Sequence, residues 1–61
     1  MLKQLRLGKN LTQLQMANLA KIKQPSYCNI ENGKRRPSID IAKRIAAVLE
    51  IEWSKIYENS N

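Results

Sequence analysis

The stretch Gln13–Asn32, QLQMANLAKIKQPSYCNIEN, limits what this chain can fold into more than any other part of it. Met16, Ala17, Ala20, Ile22, Tyr27 and Ile30 are its candidate interior residues, and no single helical or strand period joins them. Two short helices with a break at Lys21–Lys23 do. Met16, Ala17 and Ala20 then share one face of the first helix, and Tyr27 and Ile30 share one face of the second. Ile22 falls in the gap and plugs the angle. The leftover face of the second helix carries Gln24, Pro25, Cys28 and Asn29, small or hydrogen-bonding groups that suit the edge of a base pair.

The flanks carry matching start and stop signals. Thr12 is an N-cap, with Gln15 three residues on to complete a capping box and Leu11 placed to staple onto Met16. Gln13 lies at the first helical position, where unbonded backbone N–H groups face outward. Ala17 supplies the small side chain that two steeply crossed helices need at closest approach, although alanine is also simply a good helix former. The turn requires a left-handed residue near position 21, where lysine costs up to about 1 kcal/mol relative to glycine. Pro25 is tolerated in a first turn, and Gly33 ends the helix.

Gly33-Lys34-Arg35-Arg36-Pro37 reads as an exposed basic loop. Ser38 then caps a helix over Ile39–Leu49 with Ile39, Ala42, Ile45, Ala46 and Leu49 inward. Glu50 stops it, and a last helix covers Trp53–Glu58 with Ile56 inward. Before the central pair, a helix over Leu2–Leu7 turns Leu2, Leu5 and Met1 inward, with Gly8 as its left-handed stop. The expectation is an all-α fold, a compact five-helix bundle forming one domain over residues 1–58, followed by a disordered tail at 59–61.

Sixty-one residues bury about 60% of their unfolded surface, so dimerisation would add useful stability. One cysteine and no histidine leave neither an intrachain disulfide nor a zinc site, which fits a reducing cytoplasm. The longest apolar run, Ile45–Leu49, is far short of a membrane span, and the N-terminal residues lack the apolar block of a signal peptide. No cofactor or small-molecule ligand is expected. With no nucleophile–base pair, phosphate loop or metal cluster, an enzyme is the least fitting class. Charge is more telling. Residues 1–36 hold eight Lys/Arg and one acid, whereas residues 37–61 hold three and four, so the net charge of +6 sits in the N-terminal half. Such a polarised chain suits an anionic partner, with nucleic acid foremost.

Thr12-Gln13, Ala17, Ile22, Gln24-Pro25, Ile30-Glu31-Asn32-Gly33 and Pro37-Ser38 resemble the helix-turn-helix domain of phage repressors and the Cro/C1-type (XRE) family. The match runs without gaps from about Leu5 to Tyr57, and IENGKRRPS is its most specific part. The resemblance implies a lambda-repressor-like bundle with the helix-turn-helix at helices 2 and 3, the third helix entering the major groove. It implies that Gln13 clamps a phosphate and braces Gln24, and that Gln24 reads a base edge. Lys23, Pro25, Ser26, Cys28 and Asn29 would line the same groove, while Asn32 and Lys34, Arg35 and Arg36 hold the backbone beyond it. It further implies a structural bridge from Arg6 to Glu31.

Three residues depart from the family pattern. Lys21 stands where glycine is usual. Tyr27 replaces a branched aliphatic residue, so its hydroxyl is expected to reach the surface. Cys28 occupies a common polar reading position, where it is limited to van der Waals contact such as with a thymine methyl. Ile51, Trp53 and Tyr57 either cap the core or form a dimer surface; Trp53 is placed half exposed at a two-fold contact. The resulting expectation is a sequence-specific DNA-binding regulator, a repressor acting as a homodimer on a pseudo-palindromic operator. The alternative is a protein-interaction module on the same fold, an antitoxin or anti-repressor.

Overall fold

The computed structural model of the chain describes residues 1–58, the side chains of Tyr57 and Glu58 excepted. The tail expected at residues 59–61 lies outside the described residues. Five helices follow in order: α1 (Leu2–Gly8), α2 (Gln13–Ala20), α3 (Gln24–Glu31), α4 (Ile39–Leu49) and α5 (Ser54–Glu58). No strand occurs among the described residues.

The helix starts follow their caps. Thr12 is extended and its hydroxyl accepts from Gln15 N at 3.1 Å, while Thr12 N donates to Gln15 Oε1 at 2.9 Å, closing the capping box. Ser38 Oγ accepts from Ile41 N at 3.2 Å at the head of α4. Pro25 sits in the first turn of α3, where its missing N–H has no intrahelical partner to lose. The break between α2 and α3 forms where Lys21 turns left-handed, at φ 60°, which frees the chain to restart at Lys23 in extended geometry. Arg44 of α4 donates to the Lys21 carbonyl at 3.4 Å and pairs with Asp40 at 2.9 Å, so α4 holds the turn from behind.

α2 packs against both α3 and α4, and α5 packs against α4. Met16, Ala17, Ala20, Tyr27, Ala42, Ile45, Ala46, Leu49 and Ile56 form the interior with Leu2 and Ile30 at its margin. Ala17, Ala42 and Ala46 are buried without bulk, which lets the helices approach, and a wholly buried Ile45 contributes about 1.5–3 kcal/mol.

Six expectations need correction. Gly8 lies inside α1, and Asn10, at φ 59°, makes the left-handed turn instead; asparagine tolerates that conformation better than most residues. Met1 is exposed, because it precedes the first turn and overhangs the core. Ile39 is 53% exposed, since it begins α4 beyond the edge of the core; half-buried Ile41 packs there in its place. Pro37 is buried, so only the cationic part of the loop faces solvent. The last helix begins at Ser54, with Trp53 in the turn before it. Tyr27, finally, is wholly buried with its hydroxyl inside. The hydroxyl comes to rest near the charges of Glu31 and Arg6 instead of water.

Candidate nucleic-acid interface

Arg6 and Glu31 form the charged support beneath the central pair of helices. Arg6 Nε donates to Glu31 Oε2 at 2.9 Å and Nη2 donates to Oε1 at 3.1 Å, a two-point fork that only a planar guanidinium can make. Its Nη1 donates to the Leu11 carbonyl at 2.7 Å, tying the chain just before α2 to the same centre. The paired side chains are 9% and 3% exposed. Burial alone would push the Glu31 carboxyl up. The Arg6 hydrogen bond, the Tyr27 hydroxyl and the Gln13 amide, together with the Arg6 charge, outweigh burial and hold it below the ordinary carboxylate value. The hydrogen bond to Glu31 likewise raises the Arg6 pKa. Tyr27 is pushed up, chiefly by burial and then by the neighbouring carboxylate. Its Oη feels both charges without reaching hydrogen-bond geometry to either.

Gln13 belongs to this centre. Its Nε2 donates to Glu31 Oε1 at 3.2 Å, so the brace expected toward Gln24 runs to Glu31 instead. The reason is charge: an ionised carboxylate is a stronger acceptor than a second amide. Gln13 remains half-buried at the head of α2, beside the outward N–H groups of that helix.

On α3, Gln24, Pro25, Cys28 and Asn29, with Asn32 at the C-cap, follow the spacing of one helix face and lie opposite the buried Tyr27 and Ile30. All are exposed except half-buried Cys28. Asn32 Nδ2 donates to Cys28 Sγ at 3.4 Å. Ser26 departs from this group. It turns, half-buried, toward a cleft of about 110 Å³ between α3 and α4, lined also by Ile22, Ile30, Arg35 and Ile41. Lys23, the exposed N-cap residue, stands at the near end of the face.

The far end carries Lys34, Arg35 and Arg36, all exposed. Their segment is anchored at both ends. Gly33 adopts φ 77°, and Pro37 is buried. Between them, Lys34 N and Arg35 N donate to the Asn29 carbonyl at 2.8 and 3.2 Å, so the cationic turn folds back on the helix that carries the amide face. Sequence reasoning missed both the Gln13–Glu31 and Asn32–Cys28 bonds; the spacing of four between Cys28 and Asn32 was the available signal for the second.

An uncharged amide-bearing helix face between two cationic ends, raised on a fixed two-helix frame, is what helix-turn-helix proteins present. A profile of the helix-turn-helix family matches residues 2–56. The chain belongs to the helix-turn-helix family of the Cro/C1 (XRE) type. Among curated proteins it is similar to the uncharacterized HTH-type transcriptional regulator YqaF of Bacillus subtilis (strain 168), at 40% identity over 58 residues, covering 95% of this chain and 76% of the relative. No solved structure shows significant similarity to it. Membership in this family makes the chain a DNA-binding regulator of transcription. No group of three or more His, Cys, Asp or Glu that could hold a metal occurs among the described residues. None of their helices is long and apolar enough to cross a membrane.

Proposed function

We propose that this helix-turn-helix protein is a cytoplasmic repressor that binds a pseudo-palindromic operator as a homodimer, with α3 in the major groove. The observation that carries the reading is the joining of the two halves of the site: the amide face of α3 and the cationic turn share the Asn29 carbonyl as an anchor. In this reading Gln24 and Asn29 contact base edges, with Pro25 and Cys28 between them, while Lys23 and Ser26 flank the groove. Gln13 and the N-terminal N–H groups of α2 take one phosphate, and Asn32, Lys34, Arg35 and Arg36 take the backbone beyond. The Arg6–Glu31 bridge is structural and stays off the DNA.

The dimer contact proposed for Ile51, Trp53 and Tyr57 is supported by the first two. Each is partly buried against the core, leaving apolar surface outward. Lys43 Nζ lies 5.5 Å from the centre of the Trp53 ring, so a partner would meet the rest of the indole. Two copies joined there would set two α3 helices about 34 Å apart, one duplex turn. Repression would follow from occluding a promoter that overlaps the operator.

Gel-shift titration across salt tests this function. A dimer touching roughly six to ten phosphates should lose about three to five decades of affinity between 50 and 200 mM salt. Binding to no duplex, or binding indifferent to salt, would instead favour a module that uses this fold to bind protein. Selection of bound duplexes from a random pool would then give half-site spacing.

A further inference from the structure

We propose that the operator half-site consists of A·T pairs where α3 enters the groove, with a thymine methyl seated against Cys28. The inference rests on the DNA-reading function above and specifies what is read. In the major groove, guanine is most often recognised by arginine or lysine reaching O6 and N7 together; adenine pairs with a side-chain amide through N6 and N7, and thymine offers a methyl group. The outward face of α3 has the second and third of these chemistries and lacks the first. Gln24 and Asn29 are exposed, and neither side-chain amide is hydrogen-bonded within the described residues. Pro25 and Cys28 provide apolar surface between them. The cations stand only at the ends, at Lys23 before the helix and at Lys34–Arg36 after it. Lys34 and Arg35 are further held there by backbone bonds to Asn29.

Asn32 decides how Cys28 meets the duplex. By donating one N–H of Nδ2 to Cys28 Sγ, it occupies the acceptor side of the sulfur and keeps its second N–H for the phosphate backbone. What remains outward is a polarisable, weakly donating atom, suited to a methyl and ill suited to an oxygen or nitrogen edge. Half-burial keeps that atom in place. The surface thus presents amide, apolar and amide groups in sequence, matching adenine and thymine edges.

The test starts from the duplex that the intact protein selects from a random pool. Each thymine in the half-site is replaced singly by deoxyuridine, which removes only the methyl, and affinity is measured for wild type, Cys28→Ser and Cys28→Val. One position should cost wild type about fourfold, the transfer preference of a single methylene-sized group. That loss should vanish in Cys28→Ser and persist in Cys28→Val. Circular dichroism on both variants separates a lost contact from a lost fold. A half-site with G·C pairs under the centre of α3, a scan without any sensitive thymine, or an equal loss in folded Cys28→Ser would overturn this inference alone. Absence of salt-dependent binding to any duplex would overturn the DNA-reading function with it.

Discussion

Arg6→Ala is the substitution whose effect the structure determines most sharply. It removes both bonds of the fork to Glu31, together with the bond to the Leu11 carbonyl, and strands a carboxylate whose side chain is 3% exposed. Breaking a buried pair from one side typically costs about 3–5 kcal/mol, because the remaining charge is left without compensation. At roughly 0.05–0.15 kcal/mol per residue, a domain of this size has only about 3–9 kcal/mol in total. With about 4–8 °C lost per kcal/mol, Tm should fall by at least about 12 °C. Lys3→Ala, on the exposed side of α1, should change stability by no more than about 0.5 kcal/mol. Thermal unfolding followed by circular dichroism measures both.

The pH dependence adds a sign test. In the native protein Glu31 titrates below its unfolded value near 4.5, so its contribution is fully present above that value and disappears as pH falls through the folded pKa. Without Arg6, burial becomes the dominant influence on Glu31 and raises its pKa. Acidification from pH 7 toward 5 should then stabilise the variant relative to wild type. Equal melting temperatures for Arg6→Ala and Lys3→Ala, or parallel pH profiles for variant and wild type, would refute the buried-bridge argument.

Other substitutions test separate parts of the molecule. Lys21→Gly relieves a left-handed lysine at φ 60° and should add about 1 kcal/mol, read as a higher Tm. Tyr27→Phe removes a buried hydroxyl that lacks a hydrogen bond but also its favourable influence on the Glu31 carboxylate; the two oppose, and stability at pH 7 should change by less than about 1 kcal/mol. Because burial raises the Tyr27 pKa, its protonated form stabilises the fold below the unfolded value near 10, and that contribution is lost as pH rises through the folded pKa. Alkaline melting curves of Tyr27→Phe should lack this component of the loss. Gln24→Ala should cost about 1–3 kcal/mol in operator affinity and relax preference at one base pair, whereas Arg36→Ala should weaken all sequences alike and lower the salt slope by about one. Competition gel shifts with specific and random duplexes distinguish the two.

Local chemistry makes much of this fold legible in the sequence. Thr12, Gln15, Pro25, Gly33 and Ser38 each fix one backbone event through their own atoms, and each event occurs where expected. The left-handed turns at Lys21 and Glu50 were also readable, as positions where the chain must stop a helix without a glycine. Features set by distant packing were not. Ile39 fits a helical stripe but lies past the end of the core, and the full burial of Tyr27, hydroxyl included, beside Arg6 and Glu31 follows from no spacing rule. The amide face of α3 could be read from periodicity, yet the destination of the Gln13 amide could not, because Glu31 is eighteen residues away. Pro37 lies in the loop as expected, but the exposure expected of that loop does not extend to it.

The two hydrogen bonds that Lys34 N and Arg35 N donate to the Asn29 carbonyl have a consequence for how errors in recognition would be registered. Cations on a slack tether would grip the duplex backbone equally well over any sequence, adjusting independently of the helix. In the proposed complex the grip and the probe would move together, because the cationic turn hangs on the Asn29 carbonyl of the reading helix. A helix riding up on an ill-fitting base pair would lift the cations from their phosphates as well, so a local mismatch would be amplified into lost backbone contact. In the proposed complex discrimination would then be collective: penalties from adjacent errors need not add, and lengthening the turn by inserted glycines would preserve attraction to DNA while blunting the ability to tell one sequence from another.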